Sequence, residues 1–282
     1  MDTEQLFKNC WKKSQKEIAE LVKKFVDEEF FVTFPELKGN VAILINGSVG
    51  RGTYDKESDI DFAVIFHKDN DWKEKKFVLL GEFKGENLVS KIKPLELHGG
   101  NILSLQKLES DLGSWNDDWL LSQISDSIIV YDPGNEIRAV KEKYNWYPED
   151  VCREKINSSF AEASWMIFDR YQAGYKRKNL YYTELTKLKI LRLFMFCLLL
   201  ANKKYPMSDK HLIVDVKSLS GEHAKLVKQI ETIIKSRSMK RNYGKLIQLR
   251  SKIEKILLDR GLIENKEIVY WVGLRPTRKV EI

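Results

Sequence analysis

The sequence predicts an α+β domain built on a small mixed sheet, followed by an all-α helical bundle domain. Three observations predict it. Short apolar runs rich in β-branched residues, such as Val41 to Ile45 and Ile60 to Phe66, alternate with turn signals in the first half. Long apolar–polar runs at helical spacing fill the second half, punctuated by Gly174, Pro206 and Gly221. The charge also reverses: residues 1–150 hold 20 Lys+Arg against 28 Asp+Glu, and residues 151–282 hold 28 against 13. We therefore expect one domain over 1–140 and a second over 141–282, with the connection inside 132–150.

The elements follow in order. Residues 3–30 read as a helix, because Leu6, Cys10, Ile18, Leu21, Val22, Phe25 and Val26 recur at helical spacing. Val41 to Ile45 is an uninterrupted apolar run and reads as a buried strand; Ile60 to Phe66 reads as the next. Asp71 to Phe83 reads as a helix. Leu88 to Leu97 and Ile102 to Leu105 read as two strands joined by the turn signal His98-Gly99-Gly100-Asn101. Trp115 to Ile124 reads as helical, and Ser127 to Tyr131 as a short strand closed by Asp132-Pro133-Gly134. Glu109 and Asp111 read as loop or helix-start residues. Glu154 to Tyr171, Tyr181 to Asn202, His223 to Lys235 and Lys240 to Asp259 are the bundle helices, and their short connections favour antiparallel neighbours. Glu267 to Val272 adds a terminal strand or a packed tail.

Composition narrows the function classes. The opening MDTEQLFKNCWKK is not a signal peptide. The most apolar segment, Ile190 to Ala201, is shorter than the ~20 residues a bilayer requires, and it contains Arg192. No membrane partner is expected. Cys10, Cys152 and Cys197 lie far apart without a CxxC pair, so they indicate neither a zinc site nor a disulfide framework. They read as buried thiols in a reducing, cytoplasmic setting. The basic half would face a triphosphate, an anionic substrate or nucleic acid, or simply form a solvated helical surface.

One stretch carries chemistry: VAILINGSVGRGTYDKESDIDFAVIF, residues 41–66. An apolar run ends in the turn Gly47-Ser48. A polar connection follows, and the next apolar run opens with Asp59 and Asp61. Residues i and i+2 of a strand share a face, so the two carboxylates are expected to project together. Like charges at that spacing repel, and a hard cation such as Mg²⁺ removes the conflict. Glycine lets backbone N–H groups approach an anion closely, and the Ser48 hydroxyl can bond a phosphate oxygen. Arg51 either braces this turn or meets a phosphate as a bidentate donor.

GSVGRGTYDKESDIDFAVI resembles the nucleotidyltransferase superfamily that includes DNA polymerase beta: a GS turn, a spacer, then acid-x-acid on the following strand. The filling of the spacer is most similar to antibiotic-type and minimal nucleotidyltransferases. IIVYDPGNEIRAVKEKYNWYPEDV resembles the segment after the catalytic domain in such proteins, and LLLANKKYPMSDKHL their helical-domain segment, where a Tyr-Pro and a following Lys recur.

The resemblance implies catalytic and metal-binding roles for Asp59 and Asp61, with Gly47 and Ser48 on the phosphates. It implies a third acid on a neighbouring strand, and Leu95-Glu96-Leu97 makes Glu96 the candidate. His98, two residues on, is a candidate for proton transfer. It assigns Lys210 and Tyr205 to nucleotide contacts, and Lys187 is a further candidate to reach the phosphates or the base. The implied reaction is transfer of NMP from an NTP, ATP favoured, to a hydroxyl of a small-molecule or protein acceptor, with two Mg²⁺ (or Mn²⁺) ions and release of pyrophosphate. Nucleic acid is not expected as acceptor, since no second nucleic-acid module is evident. A homodimer is left open. The alternative class is a nucleotide-binding sensor that keeps the fold without catalysis, and the third acid discriminates between the two.

Overall fold

A five-stranded mixed sheet organises the first of two compact units, Met1–Asn145, and the second, Trp146–Ile282, is helical. The computed structural model describes residues 9–68, 95–96, 102–219 and 221–263. The expected helix over 71–83, most of the expected strand over 88–97, His98 and the tail over 267–272 lie outside the described residues.

Helix α1 (Gln15–Phe25) starts at a capping box: Ser14 Oγ accepts from the Glu17 N–H, and the Glu17 carboxylate accepts from the Ser14 N–H at 2.7 Å. The helix expected over 3–30 is thus corrected, because Cys10–Lys12 form a separate 3₁₀ turn ahead of this cap. At its far end the chain continues through a π turn, Val26–Phe30, to Thr33.

Strand β1 (Val41–Ile45) is central and wholly buried, which is why its sequence is apolar at every position. The short helix α2 (Gly47–Arg51) follows it. β1 pairs antiparallel with β2 (Ile60–Phe66) from Val41↔Phe66 to Ile45↔Phe62. Along its other edge it pairs antiparallel with β5 (Ile128–Tyr131), with a bulge between Ile43 and Leu44. Phe25 and Phe30 meet Phe62 edge-on, each at 6.4 Å between centroids, and join the sheet to the helical layer above it.

β3 (Leu95–Glu96) and β4 (Ile102–Ser104) both pair parallel with β2, at Ile60↔Leu95 and Asp61↔Glu96 and at Val64↔Ile102 to Phe66↔Ser104. Two segments parallel to one strand run in the same direction, so they are not a pair reversed by a turn, as a Gly-Gly signal suggests. Strand direction here is decided by long-range pairing with β2, which local turn chemistry does not report.

Three helices complete this unit: α3 (Leu105–Gly113), α4 (Asp118–Asp126) and α5 (Glu136–Lys143). Ser104 caps α3 by accepting from the Lys107 N–H at 3.1 Å, so Glu109 and Asp111 are helical rather than loop residues. Asp117 caps α4 through the Leu120 N–H at 2.9 Å.

In the second unit, α6 (Glu149–Met166) runs through a π segment, Ile167–Tyr171, into Gln172–Lys176. α7 (Leu180–Ala201), α8 (Asp209–Lys217), α9 (Glu222–Lys235) and α10 (Met239–Asp259) follow. The spacing signalled all of these except α8. Arg250, buried, forks onto Glu254 at 3.1 and 3.2 Å and donates through Nε to Ser164 Oγ at 3.0 Å. Lys187 is fully buried: its ammonium donates to Glu184 at 2.6 Å and to the Ser236 carbonyl at 3.1 Å. The expectation that Lys187 reaches phosphate is therefore corrected, because its charge is spent inside the helical packing. No described helix is long and apolar enough to cross a membrane.

Candidate active site

The site begins where β1 ends. The Asn46 N–H donates to the Asp61 carbonyl at 2.8 Å, extending the β1–β2 ladder by one rung. Residues fifteen positions apart in the chain thereby become neighbours. Gly47 then turns the chain with φ +65°, a conformation that L side chains rarely adopt. A Cβ at this position would stand 2.0 Å from Asp61 Oδ2, so the carboxylate occupies space that only glycine leaves. Gly47 thus has two reasons to be glycine, and both serve the placement of Asp61.

α2 sits tightly on its surroundings. A Cβ at Gly50 would be 3.1 Å from both the Ile45 and the Asp126 carbonyl oxygens. The Thr53 N–H closes back on the Ser48 carbonyl at 2.9 Å, with Gly52 left-handed at φ +72°. Gln15, the first residue of α1, donates its amide to the Val49 and Gly50 carbonyls at 2.7 and 2.9 Å. Gln123 of α4 accepts the Gly47 N–H at 3.0 Å. Motif reading missed Gln15 and Gln123. The signal for Gln123 was present but faint: it is a polar residue within the buried stretch Leu121 to Ile124.

The connection between turn and acids is ordered by its own side chains. Asp55 Oδ1 accepts the Glu57 N–H at 2.9 Å, and the Asp55 N–H donates to Ser58 Oγ at 3.0 Å. Asp59 comes directly before β2 and Asp61 is its second residue; both are half-buried. Ser48 and Arg51, also half-buried, lie on α2. Glu96 occupies the register position opposite Asp61 on the parallel neighbour β3.

The residues assigned from the second half lie in the helical unit. Tyr205 is packed between the rings of Trp146 and Tyr147, at 4.9 and 4.7 Å. Lys210 is exposed near the start of α8.

Two observations bear on a bound metal. The side-chain donors gathered at the start of β2 are carboxylate oxygens, which suit a hard divalent cation. Asn46, between Ile45 and Gly47, also has a buried side-chain oxygen that accepts no hydrogen bond. The residues present fit such a cation.

The mixed sheet thus carries a Gly-Ser turn after one strand and acid-x-acid at the start of its partner. Residues 28–111, which contain the turn, both aspartates and Glu96, match the family described as "Nucleotidyltransferase domain". Residues 117–212 match a second family, "Domain of unknown function (DUF4037)". Among solved structures, a nucleotidyltransferase-like protein from Exiguobacterium sibiricum 255-15 is 14% identical, with a TM-score of 0.47 over 89% of this chain and 79% of that one. No curated protein matches the chain.

Proposed function

We propose that this protein is a metal-dependent nucleotidyltransferase that moves AMP from ATP to a hydroxyl of a small-molecule or protein acceptor. The observation that supports it best is Asp61 held against the bare Cα of Gly47, with Glu96 in register on the next strand. Asp59, Asp61 and Glu96 would hold Mg²⁺. When bound, the ions neutralise triphosphate charge and polarise the phosphoryl oxygens.

The chain's own groups do the rest. The Gly47-Ser48 turn seats the phosphates, and the Ser48 hydroxyl donates to a phosphate oxygen. Arg51 braces α2 or extends to the same phosphates. Glu96 completes the carboxylate set or accepts the acceptor's proton. The acceptor oxygen bonds to the α-phosphorus, the α–β phosphoanhydride bond breaks, and pyrophosphate leaves with the electron pair. Positioning and electrostatics supply most of the rate. Lys210, exposed on α8, is the helical unit's candidate phosphate ligand, whereas Tyr205 supports its own segment by packing.

Incubation with ATP, CTP, GTP and UTP, Mg²⁺ or Mn²⁺ and a panel of hydroxyl acceptors, read by mass spectrometry, tests the proposal. Pyrophosphate release with an acceptor heavier by one nucleotidyl group is the expected result. Nucleotide binding with no release for any acceptor would instead establish the binding-module reading.

A further inference from the structure

We propose that His67, Asp132 and Glu136 form a second divalent-metal site, of zinc-class chemistry, at the end of β2 opposite Asp59 and Asp61. Sheet topology brings them together. β2 and β5 both run antiparallel to β1, so their last residues lie at the same end of the sheet. His67 directly follows β2, and its N–H donates to the Asn40 carbonyl at 3.0 Å. Asp132 directly follows β5, and Glu136 opens α5. One ligand atom from each side chain lies within 4.8 Å of the other two.

The three facing atoms ask for a cation. His67 Nε2, Asp132 Oδ1 and Glu136 Oε2 are each shielded from solvent and have no hydrogen-bond partner. A shielded polar atom left unsatisfied is destabilising, more so if charged, so three gathered side by side are not a neutral arrangement. An imidazolium bridging the acids is a poor remedy. His67 Nε2 lies 3.7 Å from Glu136 Oε2, too far for a hydrogen bond, and Asp132 Oδ1 would still be unmet.

The surroundings are shaped to hold ligands. Asp132 Oδ2 accepts the Arg138 N–H at 3.0 Å, which orients the carboxylate and engages only one of its oxygens. A Cβ at Gly134 would fall 2.1–2.3 Å from the Glu136 carboxyl atoms, so the carboxylate lies over the bare Cα of that glycine. One imidazole nitrogen and two carboxylates favour Zn²⁺ over Mg²⁺ or Ca²⁺, and their two negative charges balance it. Tetrahedral zinc wants ligand atoms ~3.3 Å apart, so the three side chains draw in on binding. Asp61 and His67 are six residue steps apart along an extended chain, roughly 20 Å, so this site is separate from the proposed nucleotide site. Its ligands span both matched segments, His67 in one and Asp132 and Glu136 in the other. The bound ion would tie β2, β5 and α5 together.

The test uses the full chain after chelator dialysis, titrated with Zn²⁺ by calorimetry and with Co²⁺ by visible absorption. With Mg²⁺ in large excess to occupy the Asp59, Asp61 and Glu96 site, one equivalent is expected to bind to the wild type and equally to Asp61→Asn. His67→Gln and Glu136→Gln should each weaken it by about tenfold or more, with unchanged circular dichroism. The imidazole ¹⁵N spectrum of the wild type needs no variant: zinc should shift one of the four histidines. The proposal is overturned if the wild type binds no zinc, if Asp61→Asn abolishes the binding, if folded His67→Gln and Glu136→Gln bind as the wild type does, or if no imidazole responds.

Discussion

In the helical unit, two buried cations find their partners inside the protein. Arg250 is forked by Glu254 and steadied by Ser164, and Lys187 is held by Glu184 and the Ser236 carbonyl. In the sheet unit, charge is gathered at strand ends and half-buried, with glycine cut away behind it: Asp61 against Gly47, Glu136 against Gly134. The first arrangement satisfies charge internally and locks helices. The second leaves acids half-exposed at strand ends, where a cation from outside can reach them. The lesson is that burial alone does not mark a functional charge; what stands behind it does.

The sharpest break of this comparison is Asp61→Asn. Transfer should fall to background while circular dichroism and thermal unfolding stay close to wild type, because the exchange removes charge without changing shape. Retained transfer would refute the metal role. Arg250→Ala should do the reverse and leave the chemistry of the first unit alone. It strands Glu254 in a buried site, at a cost of about 3–5 kcal/mol in chemical denaturation. The double change Arg250→Met with Glu254→Leu should recover most of that loss.

Gly47→Ala probes both arrangements at once. Its Cβ would meet the Asp61 carboxylate in a backbone conformation with φ +65°. We expect a stability loss of about 1–3 kcal/mol and a larger loss of transfer than stability alone explains. Gln123→Leu removes the acceptor of the Gly47 N–H and should cost about 1–2 kcal/mol, with a modest fall in nucleotide affinity measured by calorimetry.

The smallest effect concerns the thiols. Cys10, Cys152 and Cys197 are all free and buried, and burial pushes each thiol's pKa up. At neutral pH they stay protonated and shielded. A thiol-specific reagent should label the folded chain slowly and all three cysteines quickly in denaturant.

Much of the fold was legible without coordinates. β1 and β2 were expected over Val41 to Ile45 and Ile60 to Phe66, and they occur there, because apolar β-branched runs bounded by polar turns report burial locally. The main bundle helices were equally plain from their spacing. The misses share a cause. The start of α1 depends on a capping box at Ser14, and α3 on a cap at Ser104; both are short polar signals inside stretches read for their apolar pattern. Lys187 was misread because a buried lysine and an exposed one look alike in a string of residues.

The sequence by itself determined the chemistry of the proposed nucleotide site: a glycine-serine turn and two aspartates at fixed spacing, in a segment that matches the nucleotidyltransferase domain. Tertiary structure decided which residues meet. It set Glu96 in register with Asp61, brought Gln15 and Gln123 to brace α2, and drew His67 to Asp132 and Glu136 across some sixty-five residues of chain. The reason is physical. Local pattern reports what each residue prefers, whereas strand order and register are settled only when the whole sheet forms, and those decide which side chains share a point in space.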